Sequence, residues 1–355
     1  MKNTNKVFEF IVLIAIFIFS SAACFGQSIN NADELKKYLD SQPANSPDKP
    51  IKVTINTNDQ MLKSIANVLR NAGKYVSLNL SGNSLTTIPD YTFIDIDAEE
   101  GCETLVSITL PNSVNSIGVY AFGGCTNLIS ITIPNSVKSI GECAFIVCEN
   151  LASVTIGNSV TGIGKGTFAG CESLKSINIP DNITNIGEQA FAACTSLTGV
   201  IIGNGVTSIG IGAFAGCTSL KNITIPDSVT SLGEQAFAGC TSLTSIIIGN
   251  GVTCIDSGKA SYGVFYNCTS LTSVTIGKGV TSIGSNAFYN CNSLTSVTFQ
   301  GTISSNNFDK NAFHWISFEN NTLYSWNTDL RTKYLAGGIG TYTRPNGESE
   351  TWTKK

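Results

Sequence analysis

The chain is poor in charge. Of its 355 residues only 13% are Asp, Glu, Lys or Arg, and the formal net charge is −4. It has no basic stripe and no Arg cluster, so it lacks the electrostatic footprint of a nucleic-acid binder or of a protein drawn to an anionic membrane surface. Histidine is almost absent: His314 is the only one. A Ser-His-Asp or Cys-His arrangement would have to be built around that one ring. Zinc is disfavoured for the same reason, because the twelve cysteines include no C-x-x-C pair and lack a His partner. The segment DIDAEEG, residues 95–101, alternates carboxylates but lacks the rest of a calcium loop, and it reads as a surface insertion. GNGVTSIG has glycines but no βαβ unit around them, so they are turn glycines and not a nucleotide cradle. Neither a cofactor, a metal nor a catalytic residue is expected.

Long apolar runs are also missing after the first twenty residues. The N-terminus has Lys2 and Lys6, the apolar core FIVLIAIFIF at 10–19, and then small residues. That order reads as a secretory signal over residues 1–26, so the chain is expected to be exported, at the cell surface or secreted. Two readings of the processing site stay open. Cys24 after small residues is similar to a bacterial lipoprotein signal, which would give a membrane tether through lipid on Cys24. The other is cleavage after Gly26. No later segment is apolar and long enough for a transmembrane helix.

What the chain has in abundance is repetition. Phe122, Phe145, Phe168, Phe191, Phe214 and Phe237 follow one another at 23-residue spacing, and Phe265, Phe288 and Phe313 continue at 28, 23 and 25. Three residues after most of them stands a Cys, from Cys125 to Cys291. Each unit then carries a β-branched strand such as LISITI, a turn such as PNSV or GNGV, and a Val-x-x-Ile-Gly run back to the next Phe. One 23-residue unit has no means of burying its own apolar face. Stacked units bury each Leu, Ile, Val and Phe against its copies, which predicts a solenoid with a parallel β-sheet. Periodicity alone leaves a parallel β-helix open; the Ala-rich AFxxC segment, without β-branched runs, favours the leucine-rich form. Nine Cys share one phase, and side chains in such a column point the same way about 4.8 Å apart, which suits free buried thiols better than disulfides. The turn alternates Pro180, Gly203, Pro226, Gly249, a two-unit superperiod.

The pattern C-x-x-L-x-S-V-T-I-P-x-S-V-T-S-I-G-x-x-A-F-x-x-C strongly resembles the BspA-like leucine-rich repeats of bacterial surface proteins. The likeness covers about residues 75–313. It implies a leucine-rich-repeat solenoid of about ten coils and an adhesin-like role toward host matrix protein, other cells or glycan. Residues 27–74 read as a helix-strand-helix N-terminal cap, with Leu62, Ile65, Val68 and Leu69 at helical spacing, and residues 314–355 as a C-terminal cap.

Strand alternation then selects an outward row. It comprises Ser107 and Thr109, Ser130 and Thr132, Ser153 and Thr155, Ser176 and Asn178, Gly199 and Ile201, Asn222 and Thr224, Ser245 and Ile247, Ser273 and Thr275, and Ser296 and Thr298. Such a nearly uncharged face of hydroxyls and amides is the candidate ligand-binding surface of a non-enzymatic surface protein. The alternative is a passive envelope spacer, in which Ser and Thr serve only as soluble β-formers.

Overall fold

The computed structural model describes residues 29–255, 262–319, 322–347 and 349–355. The signal segment and Cys24 lie outside the described residues.

Each coil begins with a strand whose alternate residues are apolar. The row runs Ile51–Thr54, Val76–Asn79, Leu105–Thr109, Ser130–Thr132, Ser153–Thr155, Ser176–Ile179, Gly199–Ile202, Asn222–Ile225, Ser245–Ile248, Ser273–Ile276 and Ser296–Phe299. All pairings recorded among these strands are parallel, and from Ser107 onward like repeat positions stand opposite one another, as with Thr224, Ile247, Thr275 and Thr298. Hydrogen bonding divides the row into three blocks. A second row of two-residue strands, from Thr87–Ile88 to Ser282–Ile283, lines another side of the body. The protein is a parallel β-solenoid of about eleven turns, one more than expected, because Ile51–Thr54 itself pairs in register with Val76–Asn79.

The third side is neither helix nor strand. In AFxxC the N–H groups alternate between partners. Gln189, Phe191 and Ala193 donate to the next coil, to the carbonyls of Ile211, Ala213 and Ala215, at 2.7–2.8 Å. Ala190, Ala192 and Cys194 donate back three residues within their own coil. To aim the amides this way the backbone enters the left-handed region two residues before and two after each Phe from Phe122 to Phe237 and at Phe288, as at Gln189 (φ 54°) and Ala193 (φ 57°). Gly serves at many of these sites because it has no Cβ to clash.

The core is columnar. Phe93 through Phe313 form an unbroken run of ten rings, neighbouring centroids 4.7–5.6 Å apart and planes within 14° of parallel. Burial contributes roughly 1.5–3 kcal/mol per ring, and ring pairing about 0.5–1.5 kcal/mol more. The nine in-phase cysteines are buried beside this stack as free thiols.

Before the first strand, helix Ala32–Asp40 starts at Asn31, whose side chain accepts from the Glu34 N–H, and buries Leu35 and Leu39. Helix Leu62–Asn71 packs beside it and buries Leu62, Ile65, Ala66 and Leu69. After the last coil come an antiparallel pair His314–Glu319 with Thr322–Asn327, helix Leu330–Gly337, and strand Gly340–Thr343. That strand lies antiparallel along the free edge of Ser296–Phe299. Behind it Tyr334, Tyr342 and Trp352 are buried, and Arg344 lies with its guanidinium carbon 5.1 Å from the Trp352 ring centroid.

Candidate functional site

The outward residues of the main sheet stand where the alternation places them. Ser130, Thr132, Ser153, Thr155, Ser176, Asn178, Asn222 and Thr224 are exposed, while their inward neighbours Ile131, Ile177 and Ile223 are buried. Ser245, Ser273, Thr275, Ser296 and Thr298 are half-buried. Parallel register converts these positions into two ladders, one through Asn222, Ser245, Ser273 and Ser296 and one through Thr224, Ile247, Thr275 and Thr298.

Two apolar side chains interrupt the polar face. Ile201 is 67% exposed and Ile247 is 50% exposed, large values for isoleucine in a strand. Two steps of the stack separate them, so the pair spans about 10 Å at ordinary strand spacing. Along the flank of the face runs a column of threonines whose hydroxyls are already committed. Thr198, Thr244, Thr272 and Thr295 each donate to the carbonyl of the equivalent residue one coil back, at 2.9–3.3 Å.

Both ladders run further than the expected row. Before Ser107 and Thr109 they take in Ser77 and Asn79, then Lys52 and Thr54, with Ser107 Oγ donating to Ser77 Oγ at 2.8 Å. At the other end Thr343 stands opposite Ser296 and Thr341 opposite Thr298, the two threonine hydroxyls 2.9 Å apart. The alternation in IKVTI and TYT carries the signal for these additions, but both lie outside the 23-residue frame.

The remaining chemistry is sparse. His314 is half-buried against Tyr289, ring centroids 5.4 Å apart, and burial lowers its pKa, which favours the neutral ring at pH 7. Among the described residues no group of three or more His, Cys, Asp or Glu side chains is placed to hold a metal ion. DIDAEEG forms a small hairpin, Ile94–Asp95 against Glu100–Gly101, in which Asp95 Oδ1 accepts from the N–H groups of Asp97 and Ala98. No helix among the described residues is long and apolar enough to cross a membrane.

A β-solenoid with a recurring buried leucine in each repeat, a phenylalanine stack and an open parallel sheet defines a leucine-rich-repeat protein. The family model for the BspA type leucine rich repeat region matches residues 86–217, 185–319 and 259–335, and the chain belongs to that family. A leucine-rich repeat protein from Bacteroides ovatus is 33% identical over 76% of this chain, with a TM-score of 0.57; the match covers 64% of that protein, so the chain spans under two thirds of its length. A leucine rich cell surface protein from Faecalibacterium prausnitzii is 24% identical, with 82% of this chain and 87% of that one covered and a TM-score of 0.37. A leucine-rich repeat protein from Eubacterium ventriosum is 20% identical, with 72% and 88% covered and a TM-score of 0.39. No curated protein matches the chain.

Proposed function

We propose that the chain is a non-enzymatic, exported binding protein whose open sheet face contacts a surface protein or glycan of a host or neighbouring cell. The carrying observation is the registered hydroxyl and amide face interrupted by exposed Ile201 and Ile247. A neutral face avoids the desolvation of charge on contact, and two exposed isoleucines supply apolar anchors among adaptable polar groups. Contacts of this kind are individually weak. Their strength comes from area and from many copies displayed together. Residues 1–26 as export signal, lipid on Cys24 as one mode of tethering, and residues 27–74 and 314–355 as end caps belong to the same reading. Terminal units of a stack need a polar outer surface; the C-terminal reading is supported by strand Gly340–Thr343 along Ser296–Phe299 and by exposed Thr353–Lys354 paired on its far side.

The test compares monomeric and multimerised protein on a panel of extracellular matrix proteins and glycans, with and without Asn178→Lys, Ile201→Ser and Thr224→Lys together. Multivalent binding that the triple variant loses while keeping its melting temperature supports the reading. Equal, negligible binding by wild-type monomer and multimer would leave the chain a passive spacer.

A further inference from the structure

The turn row carries a second surface, made of other residues than the sheet ladders. The position two residues before the stacked Phe has positive φ at Phe93 through Phe237 and at Phe288, and Gly occupies it at Gly166 and Gly212. In the first two Phe-bearing coils it holds tyrosine instead, Tyr91 at φ 56° and Tyr120 at φ 51°. Bulky L-residues are sterically disfavoured there. The fold does not require them, since Gly, Gln or Asn fills the same position in later coils. The two rings stack with centroids 5.7 Å apart and planes at 14°.

An apolar surface adjoins the stack. A Cβ on Gly123 would lie 3.3 Å from Ile94 Cδ1, 3.3 Å from Tyr120 Cδ1 and 3.4 Å from Ile146 Cγ2, so these three side chains close over the glycine together. Ile96, in the adjoining hairpin, is 56% exposed. That hairpin sits directly on the next coil: a Cβ on Gly101 would fall 2.1 Å from the carbonyl carbon of Gly124. Its exposed carboxylates Asp97, Glu99 and Glu100 therefore rim the apolar surface, with Asp90 and Glu142 exposed nearby. Between Lys74 and Lys138 the sequence has no Lys, Arg or His at all. Arg70, which reaches this region from helix Leu62–Asn71, donates to the Thr92 carbonyl and the Asn67 side chain.

We propose that the Tyr91–Tyr120 stack with Ile94, Ile96 and Ile146 is a docking surface for a basic amphipathic segment of another protein, one with Lys or Arg set among apolar residues. Apolar side chains cover the isoleucines, a cation approaches the tyrosine rings, and the carboxylate rim steers and orients the segment. Pre-stacked tyrosines are rigid, which lowers the ordering cost of binding. A second copy of this chain in symmetric contact would press the same carboxylates together, and an anionic bilayer would be repelled by them. The proposal is independent of the sheet ladders.

The test uses the full exported chain and labelled short peptides of alternating Lys and Leu, of Lys and Ser, and of Glu and Leu, in fluorescence anisotropy titrations. The Lys/Leu peptide should bind at least tenfold more tightly than either counterpart, a difference of about 1.4 kcal/mol. Replacing Tyr91→Gly and Tyr120→Gly together should weaken it by about tenfold or more. The melting temperature should hold or rise, because Gly suits the backbone; a purely structural role for the tyrosines predicts the reverse. Ile96→Ser, a surface change in the hairpin, should give a smaller loss, and Asp97→Asn with Glu99→Gln should flatten the salt dependence. Undiminished Lys/Leu binding by the folded double glycine variant overturns the proposal, as does equal binding of the Lys/Ser or Glu/Leu peptide. Should the double variant fail to fold, unchanged affinity in Ile96→Ser overturns it.

Discussion

The thiol of Cys194 donates a hydrogen bond to the carbonyl oxygen of Phe168, one coil back, at 3.2 Å, and the same oxygen accepts the N–H of Cys171 at 3.2 Å. The relationship recurs from Cys148 to Cys291 at 3.2–3.3 Å. Cysteine is thus a small apolar side chain with a weak donor, and it fits a dry site beside a carbonyl that has a second lone pair to satisfy. The Phe and Cys columns are one device, in which each Phe supplies the ring that stacks and the oxygen that fixes the next thiol.

Burial pushes the Cys194 thiol up to about 12 from an ordinary value of 9.0, and it raises Cys148, Cys171, Cys217, Cys240 and Cys268 as well. The unfolded chain loses these protons first as pH rises. The thiols' contribution is therefore intact below about pH 9 and declines from there through the folded-state values. Each contributes a slope of up to about 1.4 kcal/mol per pH unit in that window. Chemical unfolding followed from pH 7 to 11 should show a steep loss of stability starting near pH 9. Thiol reagents at pH 8 should label the column only as fast as the chain unfolds. Half-buried Cys254 lies off the column and labels separately; rapid labelling of any column cysteine in the native protein would contradict the buried, neutral column.

Val147 holds a left-handed conformation, φ 56°, in the position that Gly124, Gly170, Gly216 and Gly239 fill in other coils. A β-branched residue there costs about 1–2 kcal/mol relative to an unstrained one, and Val147 is 41% exposed, so little burial offsets it. Val147→Gly should stabilise the protein by about 1 kcal/mol, a rise of roughly 2 °C in melting temperature. A calorimetric scan checks it.

The solenoid was legible because one apolar spacing recurs: a Leu, two strand residues, a Val and a Phe at fixed offsets leave stacking as the one way to bury all of them. The outward residues followed from the strand's period of two. The conformation of AFxxC was not legible. Its amides bond alternately to the next coil and to their own, an arrangement that depends on left-handed residues such as Gln189 and Ala193, which have no local propensity for that region. The ends of the ladders were missed for a different reason. Lys52, Thr341 and Thr343 join the face through tertiary pairing, one pair of strands antiparallel, and no repeat frame extends to them.

The turn glycines stand where the coil before leaves no room for a Cβ, whether that coil turns at Pro or, as below Gly277, at Gly. A Cβ at Gly203 would lie 2.6 Å from the Pro180 carbonyl carbon and 2.7 Å from Asp181 N, and one at Gly249 would lie 2.4 Å from the Pro226 carbonyl oxygen. Backbone must move to admit either. Gly203→Ala should therefore destabilise by about 2 kcal/mol or more, within the range of overpacking. Gly199→Ala on the open sheet, where no atom lies within 4 Å of the added carbon, should be neutral or stabilising by up to about 1 kcal/mol. Urea midpoints of the pair, with unchanged slopes, give the comparison; equal effects would show that the close approach does not decide the residue at Gly203.

Phe214 lies mid-stack, its ring 5.2 Å from that of Phe191 and 5.3 Å from that of Phe237. Phe214→Ala removes both contacts and leaves a cavity that neighbouring coils, fixed by their own hydrogen bonds, fill only partly. The loss should be about 3–5 kcal/mol. In a stack, each coil is held mainly by the two it touches, so this weakened interface divides the chain into two units. Urea unfolding of Phe214→Ala should then broaden or split into two transitions, whereas Phe313→Ala, in the last coil of the ring stack, should lower the midpoint while keeping one transition. Hydrogen exchange resolves which coils open first. A single sharp transition in Phe214→Ala with wild-type slope would show that the stack is held together by the sheet rows and not by the ring column.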